Sequence, residues 1–256
     1  MRLERSYRRA VGHALVAAAA VAALALGAAG CLGSGSDNAS STGATTTDAA
    51  TTAATTTAPA TRTVRVYLVK DGKLAAEGRE VPDSAAVGRA ALAALLGSGA
   101  TFELVIANGV ATVTGVGTVS HERAAEIVAT LTQFPTVQAV ELDGKRLTRL
   151  DIEDVTPAIL VESPLPGARV AGPLRVTGTA NTFEATLQLE VLDRDGKTLT
   201  STFATATSGS GTRGTFDVQI GFDTANEQPG TLYAYENSAE DGRHVNEARI
   251  PLTLLP

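Results

Sequence analysis

The sequence predicts an α+β domain followed by an all-β sandwich, and three observations carry that expectation. Residues 62–154 mix strand-period and helix-period apolar patterns in the order β-α-β-β-α-β-β. Residues 158–256 lose helical spacing: Pro157, Pro164, Pro166 and Pro173 crowd the junction, and short alternating runs follow. The chain ahead of both shows neither period and divides at a single cysteine, Cys31.

Residues 1–12 carry Arg2, Arg5, Arg8 and Arg9 against Glu4, and residues 14–26 are apolar throughout. That is the basic region and apolar core of a signal peptide (1–30), shorter than the ~20 residues of a membrane-spanning helix. It closes on Gly27-Ala28-Ala29-Gly30-Cys31, which resembles the lipobox of bacterial lipoproteins, with Ala28 where leucine is commonest. The resemblance implies cleavage after Gly30 and a diacylglyceryl thioether on Cys31, with an N-acyl group such as palmitate added in many bacteria. One buried acyl chain holds only marginally at about 0.8 kcal/mol per methylene, so an anchor of two or more chains is the stable form. A lone thiol in an exported chain has no disulfide partner, which favours lipid attachment. The alternative is an ordinary secreted protein with Cys31 as a stray thiol.

Without residues 1–30, 17 basic and 26 acidic residues remain, a net charge of −9 that argues against nucleic acid and against lying flat on anionic lipid. Residues 32–60 are rich in Thr, Ala, Ser and Gly and hold no Lys, Arg or aromatic residue. Such a stretch buries too little apolar area to offset its ordering entropy, so residues 31–61 are expected to be a disordered tether with a reach of roughly 30 Å. Its threonines permit O-glycosylation.

In residues 62–154, Val64, Val66 and Leu68 alternate with Arg65, Tyr67 and Val69 as in a half-buried strand. Pro82-Asp83-Ser84 offers cap chemistry ahead of Val87, Ala91, Leu92, Leu95 and Leu96, one helical face that Gly97 ends. Asn108-Gly109 marks a hairpin, because both turn positions need positive φ. Ser120 caps a second helix with Ala124, Ile127, Val128, Leu131 and Phe134 on one side, closed by Pro135. Asp143-Gly144 turns a last strand pair, and one sheet with both helices on one face is the expected packing. Val64-Arg65-Val66-Tyr67-Leu68, Ala90-Ala91-Leu92-Ala93-Ala94-Leu95-Leu96-Gly97 and Val137-Gln138-Ala139-Val140-Glu141-Leu142-Asp143-Gly144-Lys145 resemble the GerMN domain of sporulation and germination lipoproteins. The loop after Gly97 is shorter than usual there, and the family's Pro-Gly-containing segment is missing. The resemblance implies a relative of ring-building envelope folds, and hence self-association through this GerMN-like domain.

In residues 158–256, Phe183, Ala185, Leu187, Leu189 and Val191 alternate with Glu184, Thr186, Gln188 and Glu190, and Asp193-Arg194-Asp195-Gly196 turns the strand. Leu199, Ser201 and Phe203 continue, then Phe216, Val218, Ile220 and Phe222, then residues 232–236 and 245–254, about seven strands in all. Pro251 restricts the last strand to an edge or a bulge. Ile159-Leu160-Val161-Glu162-Ser163-Pro164, Val176-Thr177-Gly178-Thr179-Ala180 and the run from Gly230 to Gly242 resemble the immunoglobulin-like domain of bacterial spore germination. Without paired cysteines or a tryptophan, its core rests on aliphatics and phenylalanine.

Past the leader only His121 and His244 remain, and H-E-x-x-H, G-x-S-x-G, S-x-x-K and Walker patterns are absent, so no catalytic, cofactor-binding or metal residue is assigned. Asp193-x-Asp195-Gly196 lacks the later oxygen ligands of a calcium loop and reads as a turn. Phe183, Glu184, Tyr233, Tyr235, Glu236 and Asp241 form a mixed aromatic and carboxylate set suited to a sugar or peptide of the wall. The plainer reading puts Phe183 and one tyrosine in the core and Glu184 and Glu236 in solvent. The expected protein is lipid-anchored on the outer face of the cytoplasmic membrane, extracytoplasmic, and a non-catalytic binding or scaffold module without cofactor. Its partner is an envelope protein or peptidoglycan, and the alternative is a glycan-binding accessory to a separate wall hydrolase. Proteases are expected to cut first within residues 32–60 and next near Asp154 to Pro157.

Overall fold

The computed structural model describes residues 60–83 and 86–256. The residues expected to form the signal peptide, the lipidated Cys31 and the tether, up to residue 59, lie outside the described residues. The two domains fall within a single compact unit.

The first domain opens with an antiparallel pair, β1 (Thr61–Lys70) and β2 (Lys73–Pro82), in which Lys70 faces Lys73 across Asp71 (φ 51°) and Gly72 (φ 75°). Two consecutive positive φ angles suit the twist of a tight hairpin. The expected order β-α-β-β-α-β-β therefore gains a strand and becomes β-β-α-β-β-α-β-β. The residues of β2 concealed it: Ala75, Ala76 and Gly78 have weak strand preference and dilute the alternation around Leu74 and Val81. The expected single sheet is also two. The β1-β2 pair stands alone, while β3 (Glu103–Ala107), β4 (Val110–Thr114), β5 (Ala139–Leu142) and β6 (Lys145–Leu147) form a second sheet in that order. Strands β4 and β5 run parallel, and the Asn108-Gly109 and Asp143-Gly144 turns adopt the expected positive φ angles.

Helix α1 (Val87–Leu96) ends at Gly97, whose φ of 91° breaks the helical path. Helix α2 (His121–Leu131) begins where the Ser120 hydroxyl accepts the Arg123 N–H, and stops short of Phe134. Helix α2 packs on β1 and on β5 and so joins the two sheets. A polar stripe does part of that joining. Glu126 accepts the Val69 N–H (2.8 Å), Thr130 accepts the Tyr67 N–H (3.0 Å), and Gln133 donates to the Arg65 carbonyl (2.8 Å). Glu126 and Thr130, at i and i+4, share a helical face that Gln133 continues in the turn after Leu131, and every second residue of β1 presents its backbone to it. The outer edge of β1 is thereby satisfied without a strand partner.

The second domain is a sandwich of eight strands in two sheets. One has the order β12 (Gly214–Ile220), β9 (Leu174–Ala180), β7 (Ile159–Ser163). The other has the order β11 (Thr198–Thr205), β10 (Thr186–Leu192), β13 (Gln228–Asn237), β14 (His244–Leu254), β8 (Arg169–Val170). Val176, Leu187, Leu189, Val191, Leu232 and Leu254 fill the space between them. Gly178 is needed there: a Cβ would lie 2.2 Å from the Leu160 carbonyl oxygen and 2.6 Å from the Phe216 ring.

Three expectations change here. Residues Phe183–Ala185 form a turn with Glu184 at φ 52° and Ala185 at φ 58°, so the strand starts at Thr186 and Phe183 stays 56% exposed. On β11 it is Ala204, opposite Leu187, that points into the core, while Phe203 is 63% exposed. The junction is not an open linker either: a 3-10 helix (Arg149–Val155) leads into it, Val155 and Thr156 are buried, and the Thr156 N–H donates to Ile152. Pro251 does lie on an unpaired stretch of strand edge, with its carbonyl accepting the Gly167 N–H.

Candidate functional site

Two polar clusters stand out, one on the outer face of the five-stranded sheet and one between the domains. The first contains two of the sequence-derived candidates, Tyr233 and Tyr235. Tyr233 and Tyr235, two residues apart on β13, project from the same face with ring centroids 4.7 Å apart, and Gln188, Glu190 and Arg249 take the matching positions on the neighbouring strands. Both rings are covered. His244 stacks on Tyr235 at 3.7 Å, the Arg249 guanidinium lies 3.8 Å from the Tyr233 ring centre, and both tyrosines are buried. The Tyr235 hydroxyl donates to Glu190 (2.9 Å), and the Tyr233 hydroxyl meets His244 Nδ1 at 3.0 Å. Burial first, then the Glu190 hydrogen bond, pushes the Tyr235 phenol up to about 12. Burial and the Glu247 carboxylate raise that of Tyr233.

Glu236 is buried rather than solvated. It accepts the Phe183 N–H (2.7 Å) and the Asn246 side-chain amide (2.7 Å), tying the turn before β10 to the bulge in β14 where Asn246 has φ 54°. Glu184 is exposed and its backbone N–H donates to the Ser210 hydroxyl (3.1 Å). Asp241 caps the hairpin loop: the Arg243 backbone N–H, then its guanidinium, hold its carboxyl below the usual range. The structure thus packs Tyr233 and Tyr235 together on the outer face, turns Glu236 to the other side of β13 against the Phe183 turn, and leaves Phe183 and Glu184 in solvent. Cys31 is outside the described residues.

The second cluster has no counterpart in the sequence reading. Glu162 of β7 receives the Tyr67 hydroxyl at 2.5 Å and lies 3.4 Å from Arg149 and 3.7 Å from Arg65. Arg65 also donates to the Glu162 carbonyl (2.6 Å), and both guanidinium groups flank the Tyr67 ring, at 5.6 and 5.2 Å. Burial above all drives the Tyr67 phenol well above its ordinary value, helped by the Glu162 charge and opposed by both arginines. Strand alternation had placed Tyr67 beside Arg65 on a solvent side, and nothing local in the sequence marks Glu162 as their partner.

A matching clamp holds the other end of the junction. Arg213 binds Glu153 through two hydrogen bonds of 2.8 and 3.0 Å and donates to the Pro157 carbonyl (2.8 Å), and Asn181 adds a bond to Glu153 (3.0 Å). Burial by itself would raise the Glu153 carboxyl, but the Arg213 and Asn181 hydrogen bonds outweigh it and hold the pKa low. Among the described residues no group of three or more His, Cys, Asp or Glu side chains is placed to hold a metal ion. None of their helices is long and apolar enough to cross a membrane. The chemistry available at both clusters is hydrogen bonding and ion pairing.

Residues 158–243 match the family described as the immunoglobulin-like domain of bacterial spore germination. No curated protein matches the chain. Among solved structures, the crystal structure of CopC from Methylosinus trichosporium OB3b aligns over 38% of this chain and 94% of its own, at 16% identity and a TM-score of 0.27.

Proposed function

We propose that the chain is a lipid-anchored, extracytoplasmic envelope protein whose two domains act as one rigid, non-catalytic binding or scaffold body. The anchor is Cys31, and the first domain is GerMN-like by the residues at 64–68, 90–97 and 137–145. The family match over 158–243 supports the immunoglobulin-like domain and the tie to germination. The observation that carries the reading is the pair of clamps, Glu162 with Tyr67, Arg65 and Arg149, and Glu153 with Arg213 and Asn181. They fix the two domains against each other, so a surface made of both has one shape to offer, which suits recognition of an envelope partner and spares ordering entropy on binding.

The test is fractionation of cells carrying the wild-type chain or Cys31→Ser, followed by crosslinking in intact cells. Membrane retention that is lost in Cys31→Ser, with crosslinks to an envelope protein, supports the reading. A Cys31→Ser chain that still sediments with membranes overturns the anchor. The peptidoglycan reading draws on Phe183 and Phe203, both largely exposed. Saturable co-sedimentation with purified peptidoglycan, lost in Phe183→Ala with Phe203→Ala, favours it over a protein partner.

A further inference from the structure

A cleft of about 390 Å³ is bounded by β2, β7 and β14. Its lining includes Leu74 and Ala76 of β2, Ile159 and Val161 of β7, and Arg249 and Ile250 of β14. Two walls are strand edges without a strand partner. In the β1-β2 hairpin, Lys70 and Lys73 close a two-residue turn and are a hydrogen-bonded pair, so Leu74 and Ala76 are the residues whose backbone groups point away from β1. No strand pairs with that edge of β2.

On the opposite wall, β14 pairs with β13 along its length, but its other edge meets only β8, at Thr253 and Leu254. The Thr253 N–H donates to Ala168, and the Pro251 carbonyl accepts from Gly167. Backbone direction alternates along a strand, so the Arg249 N–H and C=O point the same way, into the cleft and away from β13. The chain itself has begun to fill this edge with β8, in parallel, and leaves Arg249 and the residues before it unpaired. A flat β surface would invite a second copy of the protein edge to edge. This edge is recessed behind β2 and β7, and a recess of this kind admits a single extended chain.

The rim adds a sign. Glu77 is already paired with Lys70 and Arg79, and Glu247 with Arg249. The Lys73 ammonium reaches only a carbonyl, that of Asp154, and has no carboxylate partner among the described residues. The charge left over is positive.

We propose that this cleft is a strand-addition site: it takes an extended peptide segment of a protein partner, with small apolar side chains facing Ile159 and Val161 and acidic residues at its ends, hydrogen-bonded to the Arg249 edge of β14. The proposal rests on the reading of the chain as a binding module and names where and what it binds.

The probe is a fluorescein-labelled peptide of alternating valine and threonine flanked by aspartates, acetylated and amidated, and titrated by fluorescence anisotropy into the protein. Its twin carries N-methyl groups on the backbone amides that face β14, which delete donors and leave side chains unchanged. Saturable binding of the first and at least tenfold weaker binding of the second are expected, with slower amide exchange at Arg249 in the complex. Arg249→Pro removes the edge N–H where Pro251 shows the strand accepts a ring, and is expected to weaken binding at least tenfold relative to Arg249→Ala, which keeps it. Lys73→Glu weakens binding of the aspartate-flanked probe in a salt-sensitive manner. Equal binding of the two peptides, or no saturable binding by the wild type, overturns the site, and the peptide pair decides even if Arg249→Pro fails to fold. Crosslinks to an envelope protein that persist while the peptides fail would leave the binding-module reading standing and remove only the cleft.

Discussion

Glu162 shares its charge between two guanidinium groups while the Tyr67 phenol makes its shortest side-chain bond. Removing that hydroxyl leaves a half-buried carboxylate with one donor fewer, so Tyr67→Phe is expected to cost about 1–3 kcal/mol, read as a lower urea midpoint with an unchanged slope. Tyr235 offers a spectroscopic readout. Its phenol stays neutral in the folded protein up to about 12, held by burial and Glu190. A folded pKa above the unfolded one means this contribution to stability is present below the ordinary tyrosine range and is lost as pH rises toward 12. Alkaline titration of tyrosinate absorbance should show a step near 12 that Tyr235→Phe removes; a midpoint at the ordinary value of 10.0 would contradict the packing.

Helix α2 is where an element carries more than its apolar face. Thr130→Val keeps the volume of a fully buried side chain and deletes the acceptor of the Tyr67 N–H, leaving a buried donor unpaired at a cost of about 1–3 kcal/mol. Hydrogen exchange at Tyr67 and Val69 should accelerate, while exchange inside the sandwich stays unchanged. The apolar period of α2 was legible in the sequence, and so were its Ser120 cap and the Asn-Gly and Asp-Gly turns, because each depends on residues a few positions apart. The stripe Glu126, Thr130 and Gln133 was not, since those residue types on a helix ordinarily face water. Strand alternation separates two faces without saying which is inside. The same alternation fits Phe203 inward, although Ala204 holds the core position, and carries a strand back to Phe183, although it begins only at Thr186. Glu162 and Glu153 were illegible for a related reason: their partners lie far along the chain, in the other domain.

At the scale of the whole molecule, the two clamps decide whether the domains unfold together. Hydrogen bonds from Arg213 and Asn181 hold the Glu153 carboxyl below its ordinary range, so its contribution is present above that range and is lost as pH falls through the lowered value. Acid should therefore loosen the junction before it melts either core. Circular dichroism melts of the wild type at neutral pH are expected to show one transition. Glu153→Ala combined with Glu162→Ala is expected to show two, since each domain is centred on a separate buried cluster and, with the clamps gone, Leu160 and Leu165 of the second domain are what still packs into the first. Proteolysis reports the same event locally. The wild-type junction at 155–157 should resist cleavage at neutral pH, because Val155 and Thr156 are buried and the Pro157 carbonyl is bound by Arg213. The double variant should be cut there at neutral pH and the wild type only in acid, with Glu153→Gln flattening the acid dependence. Cleavage of the wild-type junction at neutral pH as fast as in the double variant would mean the clamps do not couple the domains, and a surface made of both would lose its fixed shape.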